Sequence, residues 1–408
     1  AGNSPTHPQT VWASRTGDFV NFGPSEHANS NVRATDGLNY TLATDDVNSI
    51  QWLVPGRVLT ILTDAAEFTA TGSRLDEAIT PTSVRIVRET TRGCVNVRPA
   101  VVDKTILFWQ RARKKLREYF YDFNVDGFRS TDATILSEHI TGTGIVQADY
   151  QQEPHSILWC VRDDGQLIGF TYNKEHDVLA WQRHILAGNQ ARVMDVACIP
   201  GPSRDELWII SRRVVQGNNV LYIERLDPDF EPASPQDKAQ AFFVDCGLSR
   251  NGAPTSLVTE LTHLVGETVA ILADGAVQPN QIVSPTGTVS VNPPASVVHV
   301  GLPYIARFRS LRPEAGAKHG TFQTKLGRVH RLGVRLVNTF GVKFGLDFCA
   351  VGELQFRKTY HSMDQSPPLF TGDAIVEFPG DFDRDRQVVL LSDQPYPCTL
   401  LRMGGVVQ

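Results

Sequence analysis

Short apolar runs, separated by polar turns rich in glycine, proline and aspartate, follow one another along this chain, and that rhythm predicts strands throughout. Four segments repeat one plan: Ser49–Thr63 (SIQWLVPGRVLTILT), Thr105–Tyr121 (TILFWQRARKKLREYFY), Ser156–Tyr172 (SILWCVRDDGQLIGFTY) and Glu206–Arg225 (ELWIISRRVVQGNNVLYIER). Each opens on a strand with a tryptophan near its start, crosses a polar turn and returns as a second strand. In the third, Asp164-Gly165 is expected to close a two-residue hairpin with both central residues at positive φ, and Gly217-Asn218-Asn219 serves the fourth with a slightly longer loop.

Trp52, Trp109, Trp159 and Trp208 succeed one another at 57, 50 and 49 residues, near the repeat length of a four-stranded propeller blade. The stretches between the hairpins also read as strand pairs, as in Asp177–His184 (DVLAWQRH) and Ala191–Ile199 (ARVMDVACI), which fills each period with one blade. The expected fold is therefore all-β. Residues 1–230 form a β-propeller domain of four blades and the remnant of a fifth around Trp12, with the tryptophans as blade-packing core.

The pattern changes after Arg225. Asp227–Gln240 (DPDFEPASPQDKAQ) reads as a linker with at most a short helix over 237–241, and residues 231–303 as that linker with a small β module, turned at Asp274-Gly275. Residues 304–408 form a C-terminal β-rich domain. Within it Leu332, Val334 and Leu336 alternate with Arg331, Gly333 and Arg335, which predicts a strand with one apolar and one basic face. The long irregular stretch Glu353–Gly372 is of the kind that serves function or an interface.

Composition narrows the class. A chain of 408 residues can hold two or three domains that each bury a core, and 41% hydrophobic with 20% charged residues is a globular balance. The net charge of -5 argues against gripping phosphate backbones by bulk electrostatics. Apolar runs such as Val269–Leu272 and Val388–Leu391 are too short to cross a bilayer, so no membrane-spanning segment is expected. Cys94, Cys160, Cys198, Cys246, Cys349 and Cys398 lie far apart with no Cys-x-x-Cys pair, and are expected to be reduced, mostly buried thiols made in a reducing cytoplasm. Residues 1–10 (AGNSPTHPQT) lack the basic start and apolar stretch of a signal peptide, and with no initiator Met a preceding segment is expected.

Candidate chemistry is sparse. No phosphate-cradling glycine loop, Gly-x-Ser-x-Gly elbow or His-Glu-x-x-His helix is present. Asp381, Asp383 and Asp385 alternate and could wrap a calcium ion, but Arg384 and Arg386 supply local partners, so a solvated turn is expected. A glycosidase needs paired carboxyls over a pocket; Asp163-Asp164 and Asp45-Asp46 could be nominated, yet both pairs sit in turn-like contexts. His299, His319, His330 and His361 lack ligand spacing. The basic run Arg111–Arg117 (RARKKLR) holds five Lys or Arg in seven residues and reads as a solvated turn or an ion-pair patch between subunits. The chain is thus expected to be non-enzymatic, with no catalytic, cofactor-binding or metal-binding residues and no cofactor.

Several stretches resemble one family, the nozzle or tail tubular protein (tail tubular protein B type) of short-tailed, podovirus-like bacteriophages. They are Pro8–Phe22 (PQTVWASRTGDFVNF), Ile50–Gly56 (IQWLVPG), Lys115–Asp126 (KLREYFYDFNVD), Tyr150–Val161 (YQQEPHSILWCV) and Ser296–Tyr304 (SVVHVGLPY), with Pro367–Asp373 (PPLFTGD) and Asp393–Pro395 (DQP) near the end. The resemblance implies a structural virion protein: a homo-hexameric ring below the portal and adaptor rings, part of the virion tail and made in the host bacterial cytoplasm. The propeller would lie outside, the channel would be lined by the other β elements, residues 304–408 would build the tail-tube part, and genomic DNA would pass transiently during ejection. Its implied partners are further copies of itself, the adaptor ring, and tail fibres or spikes. Family members carry additional sequence before the Pro-Gln-Thr-Val-Trp stretch, whereas this chain starts almost at it. Two alternatives use the same blades: a propeller-type receptor- or glycan-binding protein, in which exposed aromatics such as Tyr119–Tyr121 stack on sugars, and a propeller glycosidase.

Overall fold

The computed structural model describes residues 2–24, 31–44, 48–74, 77–227, 230–314, 321, 325–363, 366–378 and 380–407. Strands take 54% of the chain and helix 3%, so the fold is all-β, as the turn-punctuated pattern predicts. The chain divides into two compact units, Ala1–His184 with Arg192–Ser211, and Ile185–Ala191 with Arg212–Gln408.

The first unit opens with a three-stranded antiparallel sheet of β1 (Gly2–Ser4), β2 (His7–Ala13) and β3 (Leu38–Thr41). Three four-stranded meanders follow, each hydrogen-bonded in chain order: β4 (Ile50–Val54), β5 (Leu59–Thr63), β6 (Glu67–Thr71) and β7 (Arg85–Thr90); β8 (Ala100–Val102), β9 (Thr105–Trp109), β10 (Leu116–Asp122) and β11 (Gly127–Asp132); and, after a short helix Glu138–Thr141, β12 (Ile145–Gln151), β13 (Ile157–Arg162), β14 (Leu167–Asn173) and β15 (Val178–His184). This is the blade topology that the repeat predicts. The fourth repeat contributes three strands rather than four: β16 (Arg192–Pro200), β17 (Asp205–Val215), which passes from one unit to the other after Ser211, and β18 (Asn218–Arg225).

Alternation explains how the sheets stack. Neighbouring residues of a strand face opposite sides, so Ile61 packs with Val11, Leu42 and Phe68, while Leu62 packs with Val54 of its own sheet and with Phe108 and Tyr119 of the next. Phe108 belongs to that second core, and Trp109 to a third with Leu116, Ile145, Leu158, Ile168 and Phe170. Strands buried on both faces are why the segments read as apolar runs rather than clean alternations.

Two local expectations need correction. Trp109 and Trp159 lie on the second strands of their sheets and are buried, but Trp52 lies on the first strand of its sheet and is half-buried, so the longer first spacing marks a change of strand. The β13–β14 turn has only Gly165 at positive φ (83°), with Gly165 N–H donating to the Arg162 carbonyl at 2.8 Å. It is a three-residue loop in which Gly165 supplies the left-handed residue after a tight turn. The two-residue form with both φ positive occurs instead at Gln216-Gly217 (48° and 78°) and Asp274-Gly275 (45° and 73°).

In the second unit β19 (Asp245–Val258), β20 (Thr268–Ala273), β21 (Ala276–Ile282) and β22 (Val289–Leu302) form a sheet in the order β19-β22-β20-β21. The long β19–β22 ladder skips Cys246 and Gly247 in a bulge. The C-terminal strands β23 (Ala306–Arg309), β24 (Val329–Thr339), β25 (Val342–Asp347), β26 (Ala350–Glu353), β27 (Phe370–Glu377), β28 (Val389–Ser392) and β29 (Thr399–Val407) make two sheets, β23-β28-β25-β26 and β27-β24-β29. They enclose a core containing Leu332, Val334, Leu336, Phe344, Phe378 and Leu390, so the alternating face read in β24 is the buried one, with Arg331 and Arg335 outward. Cys94 and Cys160 are buried, but Cys349 and Cys398 are exposed, a wider spread than expected.

Candidate functional site

Large apolar side chains stand in solvent at the turns of the first unit. Arg15 and Asp18 bridge, Gly17 takes φ 79°, and Asn21 N–H closes on the Asp18 carbonyl at 3.3 Å, which leaves Phe19 and Val20 pointing outward. At the tip of the β10–β11 hairpin the Asp122 carboxylate accepts from Asn124 N–H and from Arg129, both at 2.9 Å, and Val125 N–H donates to the Asp122 carbonyl at 3.3 Å. Arg129 and Asn124 hold the Asp122 carboxyl below its ordinary range. This self-sufficient turn presents Phe123 at 87% exposure, and Phe19 stands at 84%. A phenyl ring left in water forgoes about 1.5–3 kcal/mol of burial, which makes these tips candidate contact points. Both fall within stretches on which the family resemblance rests.

A polar concavity of about 350 Å³ lies beside β1 and β4, lined by Asn3, Gln51, Trp52 and Asn96 among others. Amides and an aromatic edge around a shallow hollow suit a neutral, hydroxyl-rich ligand.

The second unit holds a different cluster. Ser249 and His299 are directly opposite in the β19–β22 ladder, with Ser249 Oγ 2.7 Å from His299 Nδ1 and His299 Nε2 2.9 Å from the Ala239 carbonyl. A carbonyl can only accept, so Nε2 carries the proton and the serine hydroxyl donates to Nδ1. Burial pushes the His299 pKa down, keeping the ring neutral. Beside it Lys238 is buried with its ammonium over the rings of Phe340 and Tyr396. Sequence reasoning missed both. Ser249 and His299 are 50 residues apart, and Lys238 sits in a segment whose composition signals only a linker.

The residues nominated from the sequence do not converge. Asp383 accepts from the N–H groups of Arg384 (2.6 Å) and Arg386 (3.3 Å), Asp381 from that of Phe382 (2.7 Å), and Asp385 pairs with Arg312 at 2.9 Å. Among the described residues no group of three His, Cys, Asp or Glu could hold a metal ion. Asp164 pairs with Arg162 at 2.6 Å in its turn, while Asp45, Asp46 and His319 lie outside the described residues. In the basic run Lys115 pairs with Asp132 (3.0 Å) and Glu138 (3.1 Å), and Arg117 donates to Gln110 at 2.8 Å. No helix among the described residues is long and apolar enough to cross a membrane.

No family model matches this chain, and no curated protein matches it. Among solved structures it is similar to a luciferin-regenerating enzyme, at 14% identity over 43% of this chain and 73% of the other, with a TM-score of 0.22. It is also similar to the glycosidase GH43B of the Bacteroides ovatus xyloglucan PUL, at 9% identity over 88% and 89% of the two chains, with a TM-score of 0.23. Both similar proteins are enzymes, so the expectation that the chain is non-enzymatic is overturned and withdrawn. Likenesses this loose assign no activity in its place.

Proposed function

We propose that the chain is a tail nozzle protomer of a short-tailed bacteriophage, one of a ring of copies that seats on an adaptor ring and conducts DNA at ejection. The observation that carries this reading is the exposure of Phe19 and Phe123 at ordered turns inside the family-like stretches Pro8–Phe22 and Lys115–Asp126. A free monomer gains nothing from phenyl rings in water, whereas a ring protomer buries them against a neighbour or the adaptor. The test is the mass in solution of the full chain, alone and with its adaptor ring. A closed ring, or a monomer that assembles only on the adaptor, supports the reading; a monomer indifferent to the adaptor refutes it.

A second reading follows from the hollow lined by Asn3, Gln51, Trp52 and Asn96. There the chain is a receptor- or glycan-binding module that works as a monomer. Retention of binding to a neutral polysaccharide by the monomer, lost on Asn96→Ala, would favour this reading.

A further inference from the structure

Lys238 projects from the 3-10 turn Lys238–Gln240, passes Gly275 and is only 4% exposed. Its ammonium lies 4.6 Å from the centre of the Phe340 ring and 5.5 Å from that of Tyr396, and donates to Ser366 Oγ and, at 2.5 Å, to the Pro367 carbonyl. The surrounding segment is tied on several sides. The Ala239 carbonyl accepts from His299 on β22 at 2.9 Å, the Pro235 carbonyl accepts from Leu369 N–H at 2.8 Å, and Ala241 is buried with Leu272 and Tyr396. Tyr396 in turn donates to the Gly275 carbonyl at 3.1 Å.

We propose that residues 230–244 form a releasable strap, buckled by Lys238, that holds the β19–β22 sheet to the C-terminal strands when closed and frees the Ser366–Leu369 segment when open. The choice of buckle is the argument. A methionine could fill such a space without shedding the water shell of a charge, whereas an ammonium must be dehydrated to close, a cost that the two aromatic faces and two oxygen acceptors offset only in part. Opening rehydrates it. The strap is therefore held by packing and opposed by charge, which sets closed and open states nearer in energy than an apolar plug would.

Burial, followed by repulsion from Arg357, pushes the Lys238 pKa from 10.5 down to about 8. A base whose pKa is lower in the closed state binds its proton better in the open one. Protonation thus favours opening: closure strengthens as pH rises from about 8 to 10.5, and the opposition is at its full value below about 8. The other titratable groups facing the buckle are Tyr396, pushed up by burial, and, through Ala239, His299, pushed down by burial, so both shifts lead away from the interval between about pH 8 and about pH 9.5. The Arg357 guanidinium also faces the buckle.

Hydrogen exchange of the full chain, corrected for the intrinsic rate and compared at about pH 7 and about pH 9.5, tests this. Peptides covering 230–244 and 366–370 should be better protected at the higher pH, by up to roughly 30-fold in opening constant, with β20 and β22 unchanged. Lys238→Met should remove that pH dependence and protect the strap at neutral pH, and Lys238→Ala should expose it at both, with n-butanol restoring protection at neutral pH better than n-butylammonium. Strap exchange in the wild type that is independent of pH overturns the proposal without the variants, and so does an unchanged pH response in Lys238→Met. Neither result bears on ring assembly.

Discussion

Glu67 offers a severe test of how the first two four-stranded sheets are joined. It opens β6 with no exposure to solvent, and its Oε2 accepts from Oγ1 of Thr90, the last residue of β7, and, at 3.1 Å, from the N–H of Arg92 in the connection to the next sheet. Its Oε1 has no hydrogen-bond partner among the described residues. Desolvation outweighs these hydrogen bonds and raises the carboxyl pKa above 4.5. The folded chain therefore binds this proton more tightly than the unfolded one, so the stability associated with Glu67 is fully present below the unfolded pKa and falls as pH rises through the raised folded value.

Two substitutions separate the parts of that account. Glu67→Ala strands a buried N–H and a hydroxyl, and should cost about 2–4 kcal/mol at neutral pH. Glu67→Gln keeps an acceptor for both donors without the charge. Relative to Glu67→Gln, the wild type should lose about 1.4 kcal/mol between pH 4 and pH 8 for each unit by which the carboxyl stands above its ordinary value. Urea unfolding followed by tryptophan fluorescence, with Trp52 and Trp109 in the flanking sheets, reads both effects. A difference between wild type and Glu67→Gln that does not change with pH would refute the desolvation argument, and a harmless Glu67→Ala would refute the joint.

Other consequences are as direct. Gly93→Ala places a Cβ 2.2 Å from the Asp64 carbonyl at a φ of 74°, and should destabilise by at least about 1–3 kcal/mol in the same unfolding assay. Phe170→Ala empties a fully buried site against Trp181, 4.4 Å away ring to ring, and should cost about 3–5 kcal/mol by urea titration. Phe19→Ser with Phe123→Ser should leave stability within about 0.5 kcal/mol, because both rings are exposed, while abolishing ring formation or adaptor binding by mass in solution.

Much of the first unit was legible because its information is local. Strands, turns and the approximate period follow from apolar runs, Gly and Asp, which act within a few residues. The exchange of turn types between Asp164-Gly165 and Gln216-Gly217 was not, since both pairs permit positive φ and only the register of the flanking strands selects which residue adopts it. The placement of Trp52 on a first rather than a second strand escaped for the same reason.

The sequence by itself determined an all-β chain of repeated antiparallel units and the buried face of β24, because period-two alternation commits each side chain to one side of a sheet. Only the tertiary structure decided that Ser249 meets His299, that Glu67 caps the connection after β7, and that a linker lysine closes between Phe340 and Tyr396. Those contacts join residues far apart in the chain, and a polar or charged group carries no local sign of the partners that will satisfy it once water is removed.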